Sequence, residues 1–139
     1  MPMKTLSIFA ASLTFISSAH AAPLTVNVDG VEARGGDFYI SVQAEGEFMR
    51  EEATAAEIVT DIGAGTYSAS FDVPAGAYAI SIWHDENGDG VFDRAANGMP
   101  LDGWAMSGGR LMGPPTFEDV SVDVPSEGAA VSVSMTYNR

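Results

Sequence analysis

The chain has 139 residues, with six Lys or Arg against nineteen Asp or Glu and a formal net charge of −13. An apolar content of 46% with 18% charged residues is a globular composition, which rules out a wholly disordered chain, and the length allows one ordinary domain but not two independent cores. The acidity argues against nucleic acid or an anionic membrane as partner, because both present phosphate that this surface repels. The absence of cysteine removes disulfides, thiolate metal sites and a thiol nucleophile.

Residues 1–21 read as a secretory leader and not as part of the fold. Lys4 supplies the positive start, Leu6 to Ile16 is apolar apart from Ser and Thr, and Ala19-His20-Ala21 places small residues at both positions a signal peptidase inspects. The apolar run is shorter than the roughly 20 residues needed to span a bilayer, and no later segment is long or apolar enough, so no membrane insertion is expected after leader removal. Cleavage after Ala21 leaves residues 22–139 as a single domain with five arginines, no lysine and a net charge of −14. The expected location is exported, either periplasmic or secreted.

From Pro23 onward the dominant period is two. Leu24, Val26 and Val28 alternate with polar residues, as do Phe38, Ile40 and Val42, then Tyr67, Ala69, Phe71 and Val73, then Tyr78, Ile80 and Ile82. Val120, Val122 and Val124 follow, and then Val131, Val133, Met135 and Tyr137. Such alternation places one face of each strand on a core and the other in water. Gly35-Gly36, Pro74-Ala75-Gly76 and Pro125-Ser126-Glu127-Gly128 punctuate the strands as turns. Residues 57–62 are a candidate short strand. The pattern predicts an all-β fold, an antiparallel two-sheet sandwich of six to seven strands.

Two stretches break the period. Glu45 to Glu57 is acidic and alanine-rich, and suits a short helix or a solvated crossover. Asp85 to Pro115 has no clear alternation, yet it holds Leu101, Trp104, Met106, Leu111 and Met112, so it is expected to pack against a sheet. Loops this long in a compact domain commonly carry function.

That stretch opens on His84-Asp85-Glu86-Asn87-Gly88-Asp89-Gly90-Val91-Phe92-Asp93. Asp85, Asn87, Asp89 and Asp93 occupy positions 1, 3, 5 and 9 of an EF-hand-type loop, with Gly90 at position 6, so hard oxygen donors stand where alternate side chains converge on Ca²⁺. The usual position-12 glutamate is replaced by Ala96, and no helix is predicted beside the loop. An acidic hairpin tip built on Asn87-Gly88 without an ion has the same composition, and both readings stand.

His84 is the one histidine after the leader, and strand parity puts it with Ile80 and Ile82, opposite Trp83 and Asp85. No nucleophile elbow or oxyanion hole accompanies it, so no catalytic residue is assigned and the expected protein is not an enzyme; a small hydrolase is the weaker alternative. A soft-metal reading joins His84 to Met99, Met106 and Met112 as a Cu(I) site, against methionine as ordinary core filler. Trp83 and Trp104, with Tyr39, form a possible ligand surface for a carbohydrate or protein partner if their rings are exposed together.

The order of motifs from Pro74 resembles a bacterial secreted family, domain-of-unknown-function family 2141. The resemblance is carried by Pro74-Ala75-Gly76-Ala77-Tyr78-Ala79, by His84 through Asp93, by Gly98-Met99-Pro100, by Asp102-Gly103-Trp104-Ala105-Met106-Ser107 and by Pro115-Thr116-Phe117-Glu118-Asp119. After the Gly-x-Pro step the family usually continues Glu-Gly-Tyr-Gly-Phe-Ser, from which Asp102, Trp104, Ala105 and Met106 depart. The resemblance implies one exported sandwich of the transthyretin-like or immunoglobulin-like kind, without an established activity. The Pro-x-Gly-x-Tyr step also looks like the strand-entry turn of modules that brace or bind and do not catalyse.

Overall fold

The alternating segments become the facing strands of two sheets in a computed structural model that describes residues 21–109, 111 and 113–138. Residues 1–20 of the predicted leader lie outside the described residues, as does Met112. The first sheet contains β1 (Ala21–Val31), β4 (Gly65–Pro74) and β8 (Ala129–Ser134), in the order β4-β1-β8. The second contains β2 (Asp37–Gln43), β3 (Ala55–Thr60), β5 (Gly76–Asp85), β6 (Gly103–Met106) and β7 (Ser121–Val124). Its order is β3-β2-β5-β6, with β7 also on β5.

The all-β sandwich expected from the period is present, with eight strands among the described residues where six to seven were expected, one pair of them parallel. β1 runs parallel to β8, from Leu24 opposite Ala129 to Asp29 opposite Ser134, and every other pairing is antiparallel. Alternation decides which face a side chain occupies and is silent on which strand lies alongside. Leu24, Val26 and Val28 of the first sheet meet Phe38, Ile40, Ile80 and Ile82 of the second in one buried core. Each such side chain contributes about 1.5–3 kcal/mol when fully buried.

The chain crosses between sheets at Pro74-Ala75-Gly76, where the Tyr78 hydroxyl donates to the Pro74 carbonyl at 2.5 Å and pins the turn. The stretch Glu45 to Glu57 is a single 3₁₀ turn, Glu45–Glu47, followed by the start of β3. The loop after β2 closes on Gln43, whose buried Nε2 donates to the carbonyls of Glu47, Arg50 and Glu52 at 2.8–3.0 Å. The long stretch from Asp85 is ordered as well. It contains a small hairpin in which Leu101 N–H donates to the Asp93 carbonyl at 2.8 Å, and then β6.

β6 and β7 share one edge of β5 end to end: β6 pairs with Ser81–His84 and β7 with Gly76–Ala79. A one-turn helix, α1 (Phe117–Val120), leads into β7, and its Thr116 cap accepts from Asp119 N–H at 3.3 Å. Trp104 and Thr136 exchange backbone hydrogen bonds at 3.0 and 2.7 Å, which stitches β6 to the chain beyond β8. No described helix is long and apolar enough to cross a membrane.

Candidate functional site at the end of the second sheet

β5 is the central strand of the second sheet, and its last residue, Asp85, begins the aspartate–asparagine loop. Parity sends Asp85 to the same face as Trp83 and away from the core, but the loop folds over it and leaves it only 1% exposed. Its Oδ2 accepts the Gly90 N–H at 2.9 Å, so the carboxylate faces into the loop. Its Oδ1 is buried and, among the described residues, has no hydrogen-bond partner. A buried carboxylate oxygen without a partner is costly unless something neutralises it.

The remaining predicted ligands follow at the loop tip. Asn87 Oδ1 accepts the Asp89 N–H at 3.4 Å, and Asp89 Oδ1 accepts the Val91 N–H at 2.9 Å, turning alternate side chains inward. Asn87 Nδ2 donates to Asp89 Oδ2 at 3.2 Å and to Asp93 Oδ2 at 2.7 Å. One amide thus brings together three of the four predicted oxygen ligands. Gly90 has φ of 73°, a left-handed conformation that suits glycine at this turn. Among the described residues, no three carboxylate or imidazole groups already converge on one point.

Sequence reasoning missed Asp102. It is 3% exposed and immediately precedes β6, one register step beyond the Gly103–His84 pair and so beside Asp85. Its Oδ2 accepts the Trp83 Nε1–H at 2.9 Å and the Asp93 N–H at 3.1 Å, so it clamps the far end of the loop to the sheet. On the other side of Asp85, Asp37 of β2 sits directly opposite. Three aspartates therefore stand in a row at one end of the sheet, Asp37 at the start of β2, Asp85 at the end of β5 and Asp102 just before β6, where like charges repel. Arg34 is engaged by Glu32 and Glu86, and among the described residues no basic side chain pairs with Asp85 or Asp102. Local spacing could not reveal this row, because the strand register creates it.

Trp83 and Trp104 are brought together as cross-strand partners, and Tyr39 is opposite Trp83 on the other side. All three are half-buried. Trp83 stacks on Tyr39 at 4.7 Å and 16°, and Phe92 meets it edge-on at 6.2 Å, so its ring is largely used within the fold. Trp104, with Met106, Leu111 and Thr136, borders a groove of about 330 Å³.

His84 is fully buried on the core side, as parity requires. Its Nε2 lies 2.7 Å from the Gly35 carbonyl, which only accepts, so Nε2 carries the proton. In the neutral ring Nδ1 accepts from the Tyr137 hydroxyl at 2.8 Å, and that oxygen accepts the Glu32 N–H at 3.1 Å. Both ring nitrogens are committed, which corrects the soft-metal grouping. Met106 faces the opposite side of the sheet, with Ser81 as its partner, and Met99 is 62% exposed.

Residues 26–133 match a bacterial family described as uncharacterized protein conserved in bacteria (DUF2141). The chain belongs to the DUF2141 family. Comparison with curated proteins and with solved structures finds no match. The DUF2141 match runs from β1 to β8 and includes the aspartate–asparagine loop, Asp102 and the row of aromatics.

Proposed function

We propose that this DUF2141 protein is an exported, non-catalytic β-sandwich domain that binds Ca²⁺ at the Asp85–Asp93 loop and is stabilised by it. The observation that carries the reading is the buried Oδ1 of Asp85 at the first ligand position, which has no hydrogen-bond partner among the described residues. Ca²⁺ accepts six to eight oxygen ligands in flexible geometry, which suits a loop of carboxylates, an amide and backbone carbonyls. Binding requires the Asn87 amide to turn its oxygen inward in place of its NH₂, so that Asp89 and Asp93 hold the ion instead of the amide. The commitment of both His84 nitrogens to the fold supports a non-catalytic role. Calorimetric titration of Ca²⁺ into chelator-stripped protein tests the ion, with heat of binding expected in the wild type and none in Asp85→Asn. Export rests on the leader-like residues 1–21, and sequencing the mature N-terminus is expected to begin at Ala22.

A second reading, binding of a carbohydrate or peptide, attaches to Trp104 and not to Trp83, because Trp104 borders the groove between β6 and the end of β8. Quenching or enhancement of tryptophan fluorescence by a glycan or peptide, lost in Trp104→Phe, supports it. Flat fluorescence across a glycan and peptide panel removes it.

A further inference from the structure

The loop lacks a carboxylate at its twelfth position, and Ca²⁺ loops ordinarily draw a strong acidic ligand from there. The fold places a buried carboxylate at the site from elsewhere in the chain. Asp85, the last residue of β5, and Asp102, the residue before β6, grip the same loop, Asp85 through the Gly90 N–H and Asp102 through the Asp93 N–H. Both are almost wholly buried, and one oxygen of Asp85 has no hydrogen-bond partner among the described residues. Among the described residues neither forms an ion pair with a basic side chain. Two buried carboxylates side by side call for a positive charge between them and the loop.

We infer that Asp102 is the ligand that completes the Ca²⁺ site from outside the loop, so that the ion clamps the loop to β6 as well as to β5; this rests on the proposed binding of Ca²⁺ at Asp85–Asp93. Among the described residues Asp102 accepts through Oδ2 alone, from Trp83 and Asp93, which leaves Oδ1 for the ion. The same carboxylate then joins the ion to the indole of Trp83, and Trp83 becomes its reporter.

The test uses Ca²⁺ and the luminescent Tb³⁺ ion on the wild type and on Asp102→Asn. Asparagine keeps an acceptor oxygen for Trp83 and Asp93 but removes the charge. The expected result is a loss of Ca²⁺ affinity of about tenfold or more. One additional water on bound Tb³⁺, counted from luminescence decay in H₂O and D₂O, is also expected. Unchanged affinity with an unchanged water count overturns the inference. Where Asp102→Asn does not fold, the wild type decides by NMR. Saturating Ca²⁺ is expected to move the Trp83 indole N–H resonance, assigned with Trp83→Phe, and a resonance that stays in place overturns the inference. If the wild type takes up neither ion, the Ca²⁺ reading itself fails and this inference falls with it. If it does take up Ca²⁺ and Asp102→Asn binds equally well with the same water count, only the role of Asp102 fails.

Discussion

The Ser107 Oγ accepts the backbone N–H of Ile80 at 2.8 Å and donates to the Val120 carbonyl at 2.6 Å. Ile80 lies where β6 ends along β5 and β7 begins, a point at which no strand residue is in register to receive its N–H. One buried hydroxyl therefore substitutes for a missing ladder bond and joins the two short strands. Ser107→Ala leaves a buried donor and a buried acceptor without partners. A loss of about 1–3 kcal/mol is expected, measured by urea unfolding at unchanged dependence on denaturant. Wild-type stability in this variant contradicts the seam role.

Gln43 plays the corresponding part for the loop after β2. Its single NH₂ group holds three carbonyls within 3.0 Å, and Met49 sits in that loop at φ of 61°. Gln43→Leu removes the donor while keeping the bulk. Backbone amides of residues 44–54 are then expected to exchange with solvent at least tenfold faster than in the wild type, on the order of 1.4 kcal/mol of lost protection. Equal exchange rates in both proteins contradict this.

The carboxylate of Glu47 anchors the same loop, and it is held below the usual carboxylate range, first by the Ala44 N–H and then by the Thr54 hydroxyl. A depressed carboxylate contributes stability that is present above its unfolded value and is lost as pH falls through the folded one. The carbon resonance of the Glu47 carboxyl is expected to titrate at lower pH than that of an exposed glutamate, and Thr54→Ala is expected to raise its midpoint. A midpoint indifferent to Thr54 contradicts the second contact.

All four tyrosines, Tyr39, Tyr67, Tyr78 and Tyr137, are pushed above the ordinary phenol value, in each case chiefly by burial. The folded state favours the neutral phenol, so this contribution is complete below the unfolded value of about 10 and disappears as pH rises through the folded values. Ultraviolet titration of tyrosinate is expected to lag behind that of the urea-unfolded chain. Coincident curves contradict the burial seen for these rings.

Much of the fold was legible in the sequence because a half-buried strand writes its faces into a period of two. Leu24, Val26 and Val28, or Ile80 and Ile82, point inward as that period requires. The strand β6 was not legible, since Gly103-Trp104-Ala105-Met106 is short and includes a glycine whose added Cβ would strike the Tyr137 ring. The parallel neighbour of β1 was equally hidden, because a face carries no record of its partner strand. The four loop positions at Asp85, Asn87, Asp89 and Asp93 were readable from spacing alone. Asp102 became visible only when the strand register placed it beside Asp85. Gly36 belongs to the same class, for a Cβ there would lie 1.8 Å from the Asp85 carbonyl oxygen, a closeness that only the β2–β5 pairing creates.

Whether the buried Asp85 carboxylate holds Ca²⁺ is decided by thermal unfolding in excess chelator and in millimolar Ca²⁺. At a hundred times the dissociation constant, binding to the folded state alone adds about 2.7 kcal/mol, which for a domain of this size raises the melting temperature by on the order of 10 °C. That rise is expected in the wild type and is expected to be absent in Asp85→Asn. Identical melting temperatures for the wild type in chelator and in Ca²⁺ would contradict it.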